Sequence, residues 1–342
     1  MRTTGAARCN AFTWSPPPFA AAGWREHEAP RYRSHNPFGT NMSERSNSLI
    51  GRTGRIVALA AVPLIAGTVL QAQLNVTCRP SRGSNEAKLL AFFATPIAFS
   101  PGGIVERLAP GRIRVGFEAS YVPEPSRQIQ QPEACYGVKK TENTNLSPVF
   151  PRPRVAIGLP GGVLLEGSYL PPITVADAQP NLGSIAVARP WRLSGDEERG
   201  SLSLLLRAHA TLGRVRGSIT CPKKALQTQD PNLACYGSKA SSDTYKPNMF
   251  GGEAAVAKES AGGRWGGYVS SGVTWLRPRF QVGFQYEGAA FDDTKIEVDM
   301  TRFAASAGAW YRVATAAAIT GELYSVPKDA TTFRLGGAYT FR

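Results

Sequence analysis

Period-two alternation of apolar and polar residues, sustained over strand-length segments and repeated along the chain, is the feature that most limits what this sequence can fold into. Between Arg112 and Val122, the residues Ile113, Val115, Phe117, Ala119 and Tyr121 alternate with Arg112, Arg114, Gly116, Glu118 and Ser120. From Ser201 to Leu212, Leu202, Leu204, Leu206, Ala208, Ala210 and Leu212 oppose Ser203, Arg207, His209 and Thr211, with Leu205 the one exception. The last segment sets Phe333, Leu335, Gly337, Tyr339 and Phe341 against Thr332, Arg334, Gly336, Ala338, Thr340 and Arg342. Successive strand side chains point to opposite faces, so each segment is a strand with one apolar and one polar face.

A soluble exported β-sandwich would alternate as well. Three further features favour a membrane barrel. The segments have the roughly 9–11 residues that a tilted strand needs to cross a bilayer. Aromatics sit at segment ends, as with Trp265 and Trp275, Phe303 and Tyr311, and Tyr339 and Phe341, which suits interfacial girdles. The links alternate between tight and long. Strand-like segments lie near 111–122, 153–160, 162–170, 201–212, 213–221, 250–259, 264–275, 301–312, 314–325 and 330–342. Tight links fall at 159–162, at Leu212-Gly213-Arg214, at 260–264 and at 312–314, and long ones at about 123–152, 171–200, 222–249 and 276–300. The expected fold is all-β, an antiparallel transmembrane β-barrel of about ten strands, closed because every unpaired backbone amide in lipid costs several kcal/mol. Shorter alternating runs around Phe280, Ile185 and Ile296 read as hairpins rising from the long loops, and they leave twelve or fourteen strands open.

Composition narrows the alternatives. No run of about 20 apolar residues occurs beyond one N-terminal candidate, so a helical membrane bundle is excluded. Fifteen Phe, 11 Tyr and 6 Trp spread over the length exclude general disorder. A hydrophobic fraction of 42% suits a barrel in which only alternate residues meet lipid.

The N-terminus reads as a processing region. Arg45, Arg52 and Arg55 precede an apolar stretch, Ile56 to Leu70, that is broken by Pro63 and Gly67 and followed by Ala72. This is the layout of a signal peptide over 42–72, with a signal anchor as the rival. Residues 1–41 are Pro- and Arg-rich and read as a non-native or disordered extension ahead of Met42. From Gln73 onward the chain keeps 31 Lys+Arg and 22 Asp+Glu, a net of +9. Residues 73–110 are expected to form a helical or plug segment, because Ser84 to Phe99 starts with a capping-type serine and helix-forming residues. A helix covering the barrel mouth, a lumen plug and an extra strand all remain open for it.

Four cysteines on an exported chain favour two disulfides over metal. Cys221 and Cys235 close a loop whose cross-linking contributes about 3 kcal/mol in loop-closure entropy. Cys78 and Cys135 remain as the other pair, which requires residues 73–110 to thread the lumen. Ala134-Cys135-Tyr136-Gly137 recurs as Ala234-Cys235-Tyr236-Gly237, which suggests two loops of one local design.

With its leader, its alternating strands over 111–342 and a last strand carrying Phe333, Tyr339 and Phe341 in register, the chain resembles bacterial outer-membrane β-barrel proteins. The resemblance is to the architecture. It implies a place in the outer membrane among its lipids, and recognition of the C-terminal strand by the barrel-insertion machinery, although Arg342 follows the final aromatic.

The polar faces carry Arg112, Arg114, Arg154, Arg207, Arg214, Arg216, Arg302, Arg312 and Arg334 against Glu118, Glu166, Glu253 and Glu322. Two readings follow. The first is a lumen lined by arginines such as Arg112, Arg114, Arg207, Arg214, Arg216, Arg302 and Arg334 that passes or binds small anionic solutes. The second is a narrow barrel filled by paired charges, with disulfide-braced loops serving a structural or adhesive role. His209 is the one histidine after residue 72. It has no catalytic motif around it and reads as a lumen polar residue; Asp292-Asp293 reads as a loop tip. No metalloprotease, phosphate-loop or nucleophile-elbow motif is present, so neither an enzyme nor a cofactor is expected. Arginines alternating with lipid-type residues argue against nucleic acid.

Overall fold

The computed structural model describes residues 73–342 apart from Asn75, Glu133, 136–140, 145–147, 176, 197, 289, 290 and Arg342. The extension over 1–41 and the signal peptide over 42–72 lie outside the described residues, as do Tyr136 and Gly137 of the repeated motif.

Ten antiparallel strands form the barrel: β1 (Ile113–Tyr121), β2 (Val149–Gly158), β3 (Leu164–Leu170), β4 (Ala178–Asp196), β5 (Gly200–Gly217), β6 (Met249–Glu259), β7 (Trp265–Leu276), β8 (Met300–Arg312), β9 (Ala317–Val326) and β10 (Ala330–Phe341). Each pairs with its sequence neighbours. The ring closes between β10 and β1, from Phe341↔Ile113 to Phe333↔Tyr121. Links 159–163, 197–199, 260–264 and 313–316 mark a turn end, where β1 also starts and β10 finishes. The long connections gather at the opposite, loop end, together with one tight link, 327–329.

Two of the expected strands are redrawn. Leu212-Gly213-Arg214 is no turn: β5 runs straight through it, paired continuously with β4. Gly213 has φ of +121° there, and a Cβ would collide with the Asn181 carbonyl, so the glycine serves a close backbone approach inside a strand. The stretch 171–200, expected as a long link, contains the 19-residue β4. Its alternation is broken by Pro180, Pro190 and a bulge between Arg192 and Ser194, which hid it. The two changes offset each other, so the strand count remains ten.

The exterior is apolar. Val115, Ile185, Val187, Leu206, Val256, Val269, Ile319, Leu323 and Leu335 are exposed on it. Trp265, Tyr311, Tyr339 and Phe341 ring the turn end, and Trp275, Phe250, Phe303, Phe333 and Tyr121 ring the loop end. Among the described residues no helix is long and apolar enough to cross a membrane.

Above the loop-end ring stands a small head. The tip of β5, Val215–Gly217, leaves β6 and pairs with Asp243–Lys246, which continues through Arg279–Gln281 and Lys295–Glu297 to Thr77–Cys78. Asp243, fully buried, organises it by accepting hydrogen bonds from Ile219 N (2.8 Å), Thr220 N (2.7 Å), Ser241 Oγ (2.8 Å) and Gly283 N (3.0 Å).

Val269 lies between the two aromatic rings and faces outward. Val269→Arg should cost about 2–4 kcal/mol, the penalty for a cation near the bilayer midplane, read as a lower urea midpoint for unfolding from lipid vesicles.

Candidate functional site

The lumen holds the chain's own N-terminal segment. Helix α1 (Asn85–Ile97) starts at Ser84, whose hydroxyl accepts from Ala87 N at 3.2 Å. Ala87, Leu90, Ala91, Ala94 and Ile97 recur at helical spacing and are buried among wall and head residues such as Leu182, Met249, Phe280 and Tyr324. The Tyr245 hydroxyl donates to the Leu90 carbonyl at 2.8 Å, and burial raises that phenol's pKa well above its usual range, so the donor stays protonated. Glu86 accepts from Ala134 N at 2.5 Å, tying the helix start to the first long loop.

Beyond Ile97 the segment runs down the lumen in extended form. Thr320 donates to the Gly102 carbonyl, Arg114 donates to the Ile104 carbonyl at 3.2 Å, and Glu106 pairs with both Arg114 and Arg312. At the turn end the Leu108 and Ala109 carbonyls press against Gly158, where a Cβ would leave no room, and Gly111 N donates to the Gly158 carbonyl at 2.8 Å before β1 begins.

Extended backbone inside a barrel has no strand partner, and its carbonyls still need donors. Arginines from the wall supply them. Arg334 donates to Thr95 O (3.2 Å) and Ala98 O (3.1 Å), and Arg152 to Ile97 O (2.7 Å) and Ala98 O (3.0 Å). Arg207 donates to Phe99 O, and Arg154 to Ser100 O (2.9 Å) and Pro101 O (3.0 Å). The first two also meet the negative end of the helix dipole. Phe99 is fully buried among them, with the guanidinium carbons of Arg154 and Arg207 at 4.5 and 4.7 Å from its ring centre.

Carboxylates neutralise the cluster. Glu118 lies 2.7 Å from Arg154, Glu166 bridges Arg154 (3.1 Å) and Arg207 (3.0 Å), and Glu253 holds Arg207 at 2.5 Å. Glu322 accepts from Ser100 Oγ (2.6 Å) and the Tyr268 hydroxyl (2.9 Å) and lies 3.7 Å from Arg334.

Of the arginines read from the sequence as lumen-lining, Arg114, Arg207 and Arg334 therefore converge on the inner segment, as do Arg154 and Arg312 from the wider polar-face set. Arg302 is inside but apart, held by Asp329 at 2.8 Å near the loop end. Arg112 is exposed at the turn end, while Arg214 and Arg216 are exposed on the upper reach of β5, outside the lumen. Arg152, absent from the sequence candidates, is among the most deeply buried members. Carrying the alternation back through Pro151-Arg152-Pro153-Arg154 would have found it. Glu106 carried no strand pattern to signal its role.

The structure joins Cys78 to Cys135 and Cys221 to Cys235, with Cα atoms 5.8 and 5.4 Å apart. Both bonds sit at the loop end. His209 is buried, and its Nδ1 has no hydrogen-bond partner, so no carboxylate orients it as a general base requires. Asp292 is buried beside the short strand Phe284–Gln285 and accepts from Thr294 N at 3.0 Å, so it is not a solvated loop tip.

Removing Arg152 should uncover the Ile97 carbonyl, leave the Ala98 carbonyl to Arg334 and Ser100 N, and take one cation from Glu118. Arg152→Ala is expected to lose about 3–5 kcal/mol, seen as heat-modified gel migration at a lower temperature, whereas Arg214→Ala should leave that temperature unchanged.

No protein-family model matches the sequence, and no curated protein does. Solved structures similar to this chain include the outer membrane protease OmpT of Escherichia coli, at 11% identity and a TM-score of 0.36, covering 70% of this chain and 100% of that one. The attachment invasion locus protein Ail of Yersinia pestis is 12% identical over 68% of this chain and 100% of its own, with a TM-score of 0.18. Omp33 of Acinetobacter baumannii is 9% identical over 68% of this chain and 98% of its own, with a TM-score of 0.22. The closed ladder, the apolar exterior and the gathering of tight turns at one end make this chain a transmembrane β-barrel of the bacterial outer-membrane type.

Proposed function

We propose that the protein is a plugged outer-membrane barrel whose working part is its disulfide-braced outer head, which contacts anionic partners at the cell surface. The carrying observation is the use of the lumen arginines: Arg152, Arg154, Arg207 and Arg334 are consumed by the backbone of 95–101 and by Glu118, Glu166, Glu253 and Glu322. An anion entering the lumen would have to displace both, so this geometry favours a surface role over solute passage. Ser100, whose hydroxyl is set on the Glu322 carboxylate in the lumen, is buried beneath the Arg334 clamp, so the reading includes no catalysis.

With tight turns toward the periplasm, as in barrels of this type, the head faces outward. The aromatics Tyr339 and Phe341 of β10 then lie at the periplasmic end, their rings 5.0 Å apart, where insertion machinery would meet them. On the head, Arg214, Arg216, Lys223, Lys224, Lys239 and Lys246 are exposed; of the acidic residues between them Asp243 is buried and Asp230 half-buried, while Glu287 and Asp299 are exposed on the neighbouring loop, Asp299 paired with Arg279 at 2.9 Å. A cationic, cross-braced surface suits a polyanion, since the fixed loops concentrate charge without paying for ordering on contact.

Two measurements test this. Planar-bilayer recordings of the purified barrel should show no steady conductance; a continuous open-channel current would overturn the plugged reading. Cells displaying the protein should bind dextran-sulfate beads, and the charge reversals Arg214→Glu, Arg216→Glu, Lys223→Glu and Lys224→Glu together should reduce that binding at least tenfold. Unchanged binding would remove the head from the proposal.

A further inference from the structure

The ladder between β2 and β3 stops inside the length of both strands. Only Val155–Gly158 pair with Leu164–Gly167, although β2 continues to Val149 and β3 to Leu170. The cause lies in the sequence. Hydrogen bonds from Val122 N to Pro148 O (2.9 Å) and from Gly158 N to Arg112 O (3.0 Å) bracket the β1–β2 ladder and set its parity. Even-numbered residues of β2 turn their backbone groups toward β1, and odd-numbered ones toward β3. Pro151 and Pro153 are both odd, so the donors they lack are missing on the side that faces β3. An unpaired N–H in lipid costs several kcal/mol, and proline has none to lose, so this is where a wall can part at least cost.

A cavity of about 280 Å³ lies at the parting. Phe150, Pro151 and Pro153 line one side, Leu170, Pro171 and Ile173 the other, and Phe93 and Ile97 of α1 form its floor. Phe117, exposed on the lipid side of β1 opposite Pro153, forms the outer lip. Among the described residues no charged side chain lines it; the polar members are Thr144 and Tyr245, and the Tyr245 hydroxyl is already bonded to the Leu90 carbonyl. The volume is near the lower limit of the roughly 300–1,000 Å³ of ordinary ligand pockets.

We propose that this cavity takes one extended hydrocarbon chain, inserted sideways through the barrel wall from the membrane. The occupant follows from the place and the chemistry. The lining reaches from Phe117, on the lipid face of β1 below Tyr121 of the loop-end aromatic ring, up to Val122, Ile173 and Val215, and only Thr144 and Tyr245 interrupt its apolar surface. Behind the floor the arginine clamp begins at once, with Arg152 on the Ile97 carbonyl, so the chain is held and not passed on. This site is independent of the head and of the polyanion reading.

Photo-crosslinking tests it with two probes: a phosphatidylcholine bearing a diazirine in its acyl chain, in vesicles holding the full chain, and a diazirine fatty acid added to the protein in detergent. The expected result is label on the α1 peptide containing Phe92 to Ile97. The label should fall at least tenfold in Ala178→Trp, which fills the cavity, and also in the double variant Pro151→Val and Pro153→Val, which restores donors facing β3. Label on the lipid-facing Val269 peptide should not change, and heat-modified migration identifies folded variants. Label from the vesicle probe would mark a membrane lipid as the source, and label from the fatty acid alone a free chain. Label confined to lipid-facing strands with both probes, or α1 label indifferent to both variants, would overturn the proposal.

Discussion

The rest of the structure depends on one requirement: a length of backbone without strand or helix partners runs through a narrow barrel, and its carbonyls must be satisfied there. The carbonyls of Thr95, Ile97, Ala98, Phe99, Ser100 and Pro101 accept from Arg334, Arg152, Arg207 and Arg154. Each guanidinium has several donors in a fixed fork, so it can serve backbone and carboxylate together, which a lysine could not do with the same geometry. The carboxylates then become necessary in turn, because four buried cations so close together are tolerable only when paired.

The same requirement explains the head. A segment that enters at the loop end and descends to Gly111 must be held at its upper end, and the Cys78–Cys135 bond, Glu86 on Ala134 N and Tyr245 on Leu90 O do this. The head sheet grows from the overlong β5 and ends on Thr77–Cys78, so the wall, the loops and the inner segment share one set of backbone hydrogen bonds. Where the wall parts between β2 and β3, α1 lies behind it and presents Phe93 and Ile97 in place of missing wall side chains.

Much of the barrel was legible because a strand with lipid on one side and a packed lumen on the other must alternate, as β1, β8 and β10 do without a break. Legibility failed where the backbone departs from regular pleating. In β4, prolines and a bulge interrupt the pattern, and in β5 a glycine with positive φ imitates a turn. The candidate site was legible by residue type but not by role. Along an unbroken β5, odd Arg207 turns inward and even Arg214 and Arg216 turn outward, but reading Gly213 as a turn restarts the alternation and hides that difference.

By itself the sequence determined that the chain makes a closed barrel of about ten amphipathic strands: period-two hydrophobicity, strand length and turn spacing are local properties, and lipid permits no open edge. It also determined where the ladder would be weak, since the donors that Pro151 and Pro153 lack are missing in any fold. Only the tertiary structure decided that residues 85–111 run down into the lumen, and that the arginines there bind backbone in place of solute. Those contacts join residues more than 200 positions apart, such as Arg334 and Thr95, and no local pattern encodes which carbonyl a distant guanidinium will reach.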